Sequence, residues 1–233
     1  MGTVKVVTGY VPIQGHPRSA AEYGELGEKI FKPLAQAGVN ITRYLETLPE
    51  TWLYKYVSRS KVPPTHSAGD NPAKNTLAYH CVNHQKFGWL LKAALAEPTF
   101  DTYVWIDYGI GHVPGVDEHI VWDFLEKVSR TKGDLAIPGC WPDPEHIVLN
   151  DLWPCWRFCG GVLVVPRDRV HKLYKAIKGT ALDHVNKHRN VTWEVNTMAE
   201  AERNGRLPKF RWYAADHNET MFTQYPGDAP CDA

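Results

Sequence analysis

Residues 102–112, Thr-Tyr-Val-Trp-Ile-Asp-Tyr-Gly-Ile-Gly-His, constrain the fold of this chain more than any other stretch. Tyr103, Val104, Trp105 and Ile106 are β-formers, and an unbroken run of them reads as a buried strand. The run ends on an acid, Asp107. Gly109 follows two residues later and permits a sharp turn or a close backbone approach. In open α/β sheets, ligands collect outside the carboxyl ends of such strands. A carboxylate delivered there suits a metal or a phosphate-bearing ligand. The alternative is an acid that only caps the next turn.

The rest of the chain alternates strands with helices. Val4–Tyr10 is a first strand ending in Thr8-Gly9-Tyr10, followed by a Gly- and Pro-containing loop to about Arg18. A helix is expected over 20–34, a strand over 39–45, and an ambiguous third strand over 51–57. Asn71 is a good N-cap with Pro72 at the first helical position, which predicts a helix to about Ala96. A helix over 118–129 and a strand over 135–139 lead into a Trp- and Pro-rich segment, 140–156. The run 158–166, opened by Gly160 and Gly161, reads as a strand. A helix over 167–188, another capped by Thr192 over 193–204, and a last strand over 210–216 complete the pattern. Strand–helix alternation predicts the α/β class, with a mixed, mostly parallel central sheet flanked by helices. No linker divides residues 1–233, so one domain is expected.

Composition excludes several function classes. The 26 basic and 26 acidic residues balance, so no net charge selects for nucleic acid or an anionic membrane. No stretch approaches the ~20 apolar residues of a membrane span. No leader with a long apolar core is visible, and the five cysteines form no tight framework, so reduced thiols in a cytoplasmic protein are expected. Nine Trp and eleven Tyr are many for this length. They serve either the core or a site where flat rings stack on a sugar or a nucleobase.

Several groupings can carry chemistry. Asn75, Tyr79, Asn83 and Lys86 are spaced to share one helix face, where a lysine can meet a diphosphate. The alternative is an ordinary solvated face. Gly160 and Gly161 mark a place where a ligand or another backbone comes close. Glu194 opens a helix, either as a dipole-favoured first-turn acid or as a base beside a substrate. Asp216 and His217 leave the last strand as possible metal or phosphate ligands. His80 and His84 lack the intervening Glu of the HExxH zinc motif. GxGxxG, GxxxxGK[ST] and GxSxG are all absent.

The order of these motifs, TGY, a Lys-bearing helix, VWIDYG, GGVLVVPRD, WEVN and a late DHN, resembles the nucleotide-sugar glycosyltransferases of the GT-A fold. Within them the likeness is to the HtrL/YibB-like group and related viral transferases, from Val4 to about Phe222. The resemblance implies a sugar transfer from a nucleotide-sugar donor to a saccharide or glycan acceptor, with inversion, assisted by Mn²⁺ or Mg²⁺. It implies that Thr8, Gly9, Tyr10, Arg18, Asn75, Tyr79, Lys86, Asp107, Gly109, Gly160 and Gly161 bind the donor. Asp107 and His217 would hold the metal, and Glu194 would be the base. Trp141, Asp143 and Trp193 would meet the acceptor, with Asp143 or Asp151 as substitutes for the base. The family pattern has two acids where this chain reads Asp107-Tyr108-Gly109. A carbohydrate- or nucleotide-binding protein that has lost the chemistry is the alternative.

Overall fold

The computed structural model describes residues 2–60, 65–66, 72, 75–131, 133–142 and 153–227. Six strands form the central sheet: β1 (Val4–Tyr10), β2 (Ile41–Leu45), β4 (Thr102–Ile106), β5 (Leu135–Gly139), β6 (Val162–Pro166) and β8 (Phe210–Ala214). Their order is β2-β1-β4-β6-β5-β8. β1 pairs parallel to β2 and β4, and β5 parallel to β8; β6 alone runs antiparallel to its neighbours β4 and β5. A separate pair joins β3 (Thr65–His66) to β7 (Asn190–Val191). The architecture is the expected one: α/β, with a mixed, mostly parallel sheet.

Helices cover both faces, and the strands show why. Tyr103 and Trp105 point to one core with Val7, Leu163 and Val165. Val104 and Ile106 point to the other with Val6, Val162 and Val164. Side chains alternate with a period of two, so a strand apolar at every position must be covered twice. The first face packs α3 (Leu77–Ala96), α5 (Arg167–His188) and α6 (Glu194–Arg203). The second packs α1 (Ala20–Gln36), α4 (Glu118–Arg130) and α7 (Thr220–Thr223). No described helix is long and apolar enough to cross a membrane.

Several assignments differ from the sequence reading. Residues 52–57 form a short helix, α2, not a strand. Leu53 and Val57, four apart, are its buried residues, and that spacing suits a helix face packed in a small core with Cys81 and Val191. The cap of α3 is Thr76, whose hydroxyl accepts from the Tyr79 amide; Asn71 lies outside the described residues, and Pro72 sits in a turn. Helix α6 starts one residue later than expected, with Trp193 at the cap, because the Thr192 hydroxyl accepts from the Asn196 side chain instead. Residues 158–161 form a turn ahead of β6 rather than part of it.

The antiparallel strand decides where the site lies. β1 and β4 end at the same edge of the sheet at which β6 begins. β8 also ends there, being parallel to β5. Tyr10, Asp107, Gly160-Gly161 and Asp216-His217 are therefore gathered at one edge although they are far apart in sequence. The Asp107 amide donates to the Gly161 carbonyl at 2.9 Å, which continues the β4–β6 ladder one step beyond the strands.

Candidate functional site

A buried charge cluster forms the floor of this edge. Lys86, from the middle of α3, is 1% exposed. Its Nζ donates to the Gly160 carbonyl at 2.7 Å and to Glu194 Oε1 at 3.0 Å, and lies 3.4 Å from Asp107 Oδ1. Trp105 Nε1 donates to the same Asp107 oxygen at 2.6 Å. One ammonium thus holds two carboxylates from different elements. Burial by itself pulls the Lys86 pKa down, but Asp107 and Glu194 outweigh it and raise the net value. Burial by itself pushes Glu194 up, but the Lys86 charge and hydrogen bond outweigh it and hold the carboxyl below its usual range. Lys86 and Glu194 therefore face each other as an ion pair at neutral pH.

Gly160 makes room for this cluster. A Cβ there would lie 2.3 Å from Glu194 Oε1 and 3.0 Å from Lys86 Nζ. The absent side chain is replaced by the ion pair itself. Gly9 and Gly109 likewise accommodate protein rings, those of Trp89 and Tyr23. Gly160→Ala is expected to push the carboxylate off the lysine and cost roughly 1–3 kcal/mol, as overpacking of a filled interior does. Urea unfolding measures it; an unchanged midpoint would show that the pair shifts freely.

Two openings meet above the floor. The first, about 130 Å³, is lined by Tyr10, His16, Arg18, Tyr23 and Tyr108, with Gly9, Gly109, Lys86 and Trp89 deeper in. Its rings touch: Tyr10 and Tyr23 centroids are 5.1 Å apart, and His16 and Tyr79 lie nearly parallel at 6.1 Å. The Arg18 guanidinium sits over Tyr23. The second, about 550 Å³, is a groove lined by Trp141, Trp153, Trp156, Trp193, Asn75, Gly160, Gly161 and Glu194. Tyr79, Asn83, Asp107 and His217 line both. Burial raises the Tyr79 pKa, and the nearby Glu194 charge raises it further, so its hydroxyl stays protonated as a hydrogen-bond donor.

Most of the residues singled out in the sequence thus converge on one cleft. Thr8 does not reach it: the residue is fully buried in β1, and its hydroxyl has no hydrogen-bond partner among the described residues. Asp143 and Asp151 lie outside the described residues. The sequence reading missed His16, Tyr23, Tyr108, Trp153 and Trp156 as lining residues. Tyr108 carried a signal by adjoining Asp107, and Trp153 and Trp156 by lying in the Trp-rich segment 140–156.

His80 and His84 are core residues. The His80 carbonyl can only accept, so His84 Nδ1 donates to it at 2.8 Å; Nε2 then accepts from the Thr197 hydroxyl at 2.9 Å. Burial lowers the His84 pKa from 6.5 to about 4. Its folded-state value is depressed, so stability is complete above pH 6.5 and falls as pH drops toward 4. The loss amounts to roughly 3 kcal/mol. Urea titrations at pH 7 and 4.5 should show this slope, and His84→Gln should flatten it.

Among the described residues, no group of three or more His, Cys, Asp or Glu side chains could hold a metal ion. Asp107 is a half-exposed carboxylate with Oδ1 already engaged. His217 shares both openings with it.

No protein-family model and no curated protein matches this sequence. Among solved structures, the chain is similar to a glycosyltransferase involved in the glycosylation of the major capsid of PBCV-1. The identity is 15%, the TM-score 0.47, and the match covers 92% of this chain and 81% of that one. It is also similar to mouse xyloside xylosyltransferase 1 in its apo form, at 8% identity and TM-score 0.44, covering 91% of this chain and 85% of that one. Similarity at this level is no ground for assigning an activity.

Proposed function

We propose that the chain is a GT-A-type glycosyltransferase that moves a sugar from a nucleotide-sugar donor to a saccharide acceptor with inversion. The observation that carries this is the paired cleft. An aromatic pocket with Arg18 and a Trp-lined groove share Tyr79, Asn83, Asp107 and His217 as their common wall. Aromatic walls and a guanidinium suit a base and its phosphates. Tryptophan walls suit the apolar face of a sugar ring. The reacting carbon would lie where the two meet.

In that arrangement Glu194, on the groove side, takes the proton of the acceptor hydroxyl as its oxygen bonds to the sugar carbon. The bond from that carbon to the donor phosphate breaks, and the nucleoside diphosphate leaves with the electron pair. A carboxylate held ionised by Lys86 is ready for this at any pH near neutrality. Lys86 is a positioning residue: its ammonium faces Glu194, Asp107 and Gly160 rather than the opening. Asp107 and His217 would hold Mn²⁺ or Mg²⁺ together with the donor's phosphates, and such a cation would offset the charge of the leaving diphosphate.

Two measurements test the reading. The protein should slowly release nucleoside diphosphate from one member of a nucleotide-sugar panel in Mn²⁺, without acceptor. Binding without release would identify a sugar- or nucleotide-binding protein instead. In calorimetry, Asp107→Ala should abolish the Mn²⁺-dependent part of nucleoside diphosphate binding. Unchanged affinity would remove Asp107 from the metal site.

A further inference from the structure

The Trp-lined groove has a rigidity and a charge that narrow what it accepts. Trp141 and Trp153 are both large apolar residues left exposed, at 41% and 48%. Exposed indoles gathered along one groove make an apolar patch of the kind that marks a binding site. Here the backbone beneath each is clamped. Arg157, itself 5% exposed, donates through Nη1 to the carbonyls of Trp141 and Pro142 at 3.0 and 2.9 Å. The Cys140 and Trp141 amides both donate to the Trp156 carbonyl. Asn196, 4% exposed, donates to the Trp153 carbonyl at 3.0 Å, and its Oδ1 accepts from the Cys155 amide at 2.5 Å. Buried polar side chains from beneath therefore fix the backbone that carries the two exposed rings. Preorganised flat surfaces of this kind bind at low entropic cost.

The charge of the groove is one-sided. Among the described residues its lining includes two carboxylates, Asp107 and Glu194, and neither Lys nor Arg. Lys86 beneath them neutralises one charge of the two. Arg157 is spent on Glu202, to which it donates twice, at 2.9 and 2.7 Å. In the metal-free protein an acidic ligand entering here would meet like charge from the described lining, which repels it.

We propose that the acceptor is a saccharide without acidic groups, stacked on Trp141 and Trp153, and that sugars bearing carboxylate, sulfate or phosphate are rejected by the carboxylates of the groove. This rests on reading the groove as the acceptor side of a transferase. It goes further by naming the acceptor's chemistry and the residues that select it.

The test is a glycan array probed with the labelled full chain, without donor and without metal. The bound glycans should lack acidic groups, and the uronate or sulfated counterpart of each binder should be weaker by tenfold or more. Trp141→Ala and Trp153→Ala should each weaken binding roughly 3–10-fold, the size of one stacking contact, while Trp141→Phe retains most of it. Melting temperatures of the variants should match the parent, since both rings are exposed. Acidic glycans bound as well as their uncharged counterparts, or no glycan bound at all, would overturn the inference. Its failure is separable from that of the transferase reading. Non-acidic glycans bound by a protein that never releases nucleoside diphosphate would sink the transferase alone. Turnover with acidic acceptors preferred would sink this inference alone.

Discussion

Replacing Lys86 with methionine should destabilise the protein by roughly 3–5 kcal/mol at pH 7, the usual cost of leaving a buried charge without its partner. Glu194, 6% exposed, would keep its desolvation penalty and lose the ammonium that offsets it. The sign of the pH dependence is a stricter check. In the parent, the folded-state pKa of Glu194 is depressed, so its contribution is present above the ordinary glutamate value and is lost as pH falls through the folded value. In Lys86→Met burial becomes the dominant influence, the folded pKa rises, and the carboxylate becomes a cost that grows as pH climbs past the ordinary value. The stability gap between parent and variant should therefore widen from pH 4 to pH 7. Adding Glu194→Gln to Lys86→Met should recover most of the loss, because a neutral pair needs no counter-charge. A gap that is small and constant with pH would show that the cluster is not a buried ion pair in solution.

Glu194→Gln is expected to lower turnover by roughly 10²–10⁴-fold, the typical contribution of a positioned general base. The amide keeps the side chain's shape but cannot take a proton at neutral pH. Stability should suffer far less than in Lys86→Met. Lys86 would still reach the Gly160 carbonyl and Asp107, so no charge is stranded. The loss of one charge-assisted hydrogen bond accounts for roughly 1.5–3 kcal/mol. Donor affinity should hold, since Glu194 faces the groove rather than the aromatic pocket. Turnover near the parent's would exclude Glu194 as the base and leave it a structural partner of Lys86. In the parent, the rate should stay level across neutral pH and fall only below the ordinary carboxylate range, where Lys86 no longer keeps Glu194 ionised.

Much of this arrangement is legible from the chain alone, for a definable reason. The 102–106 run is apolar at every position, and only a strand covered on both faces buries all of it. Asp107 then has to emerge at an edge. Of the long helices, α5 is marked in the sequence by an apolar stripe, Val170, Leu173, Ile177 and Ala181. The errors lie where periodicity was short or a cap was shared. Residues 51–57 hold too few positions to separate a two-residue repeat from a helical one. Thr192 and Thr76 differ as caps only in which neighbour their hydroxyl meets.

The roles of Lys86 and Gly160 needed the tertiary structure. The spacing of Asn75, Tyr79, Asn83 and Lys86 places them along one helix face, but it does not say whether that face meets water, phosphate or protein. It meets protein at Lys86, because α3 is buried between the sheet and α6, which carries Glu194. Gly160 looked like a space left for a ligand and is filled by a carboxylate contributed from a residue 34 positions away. By itself the sequence determined which residues leave the strand ends, since local periodicity is a property of neighbours in the chain. Only the tertiary structure decided which of those residues face one another. One antiparallel strand brings a start to the edge where the other strands finish, and that reversal is written in no local pattern.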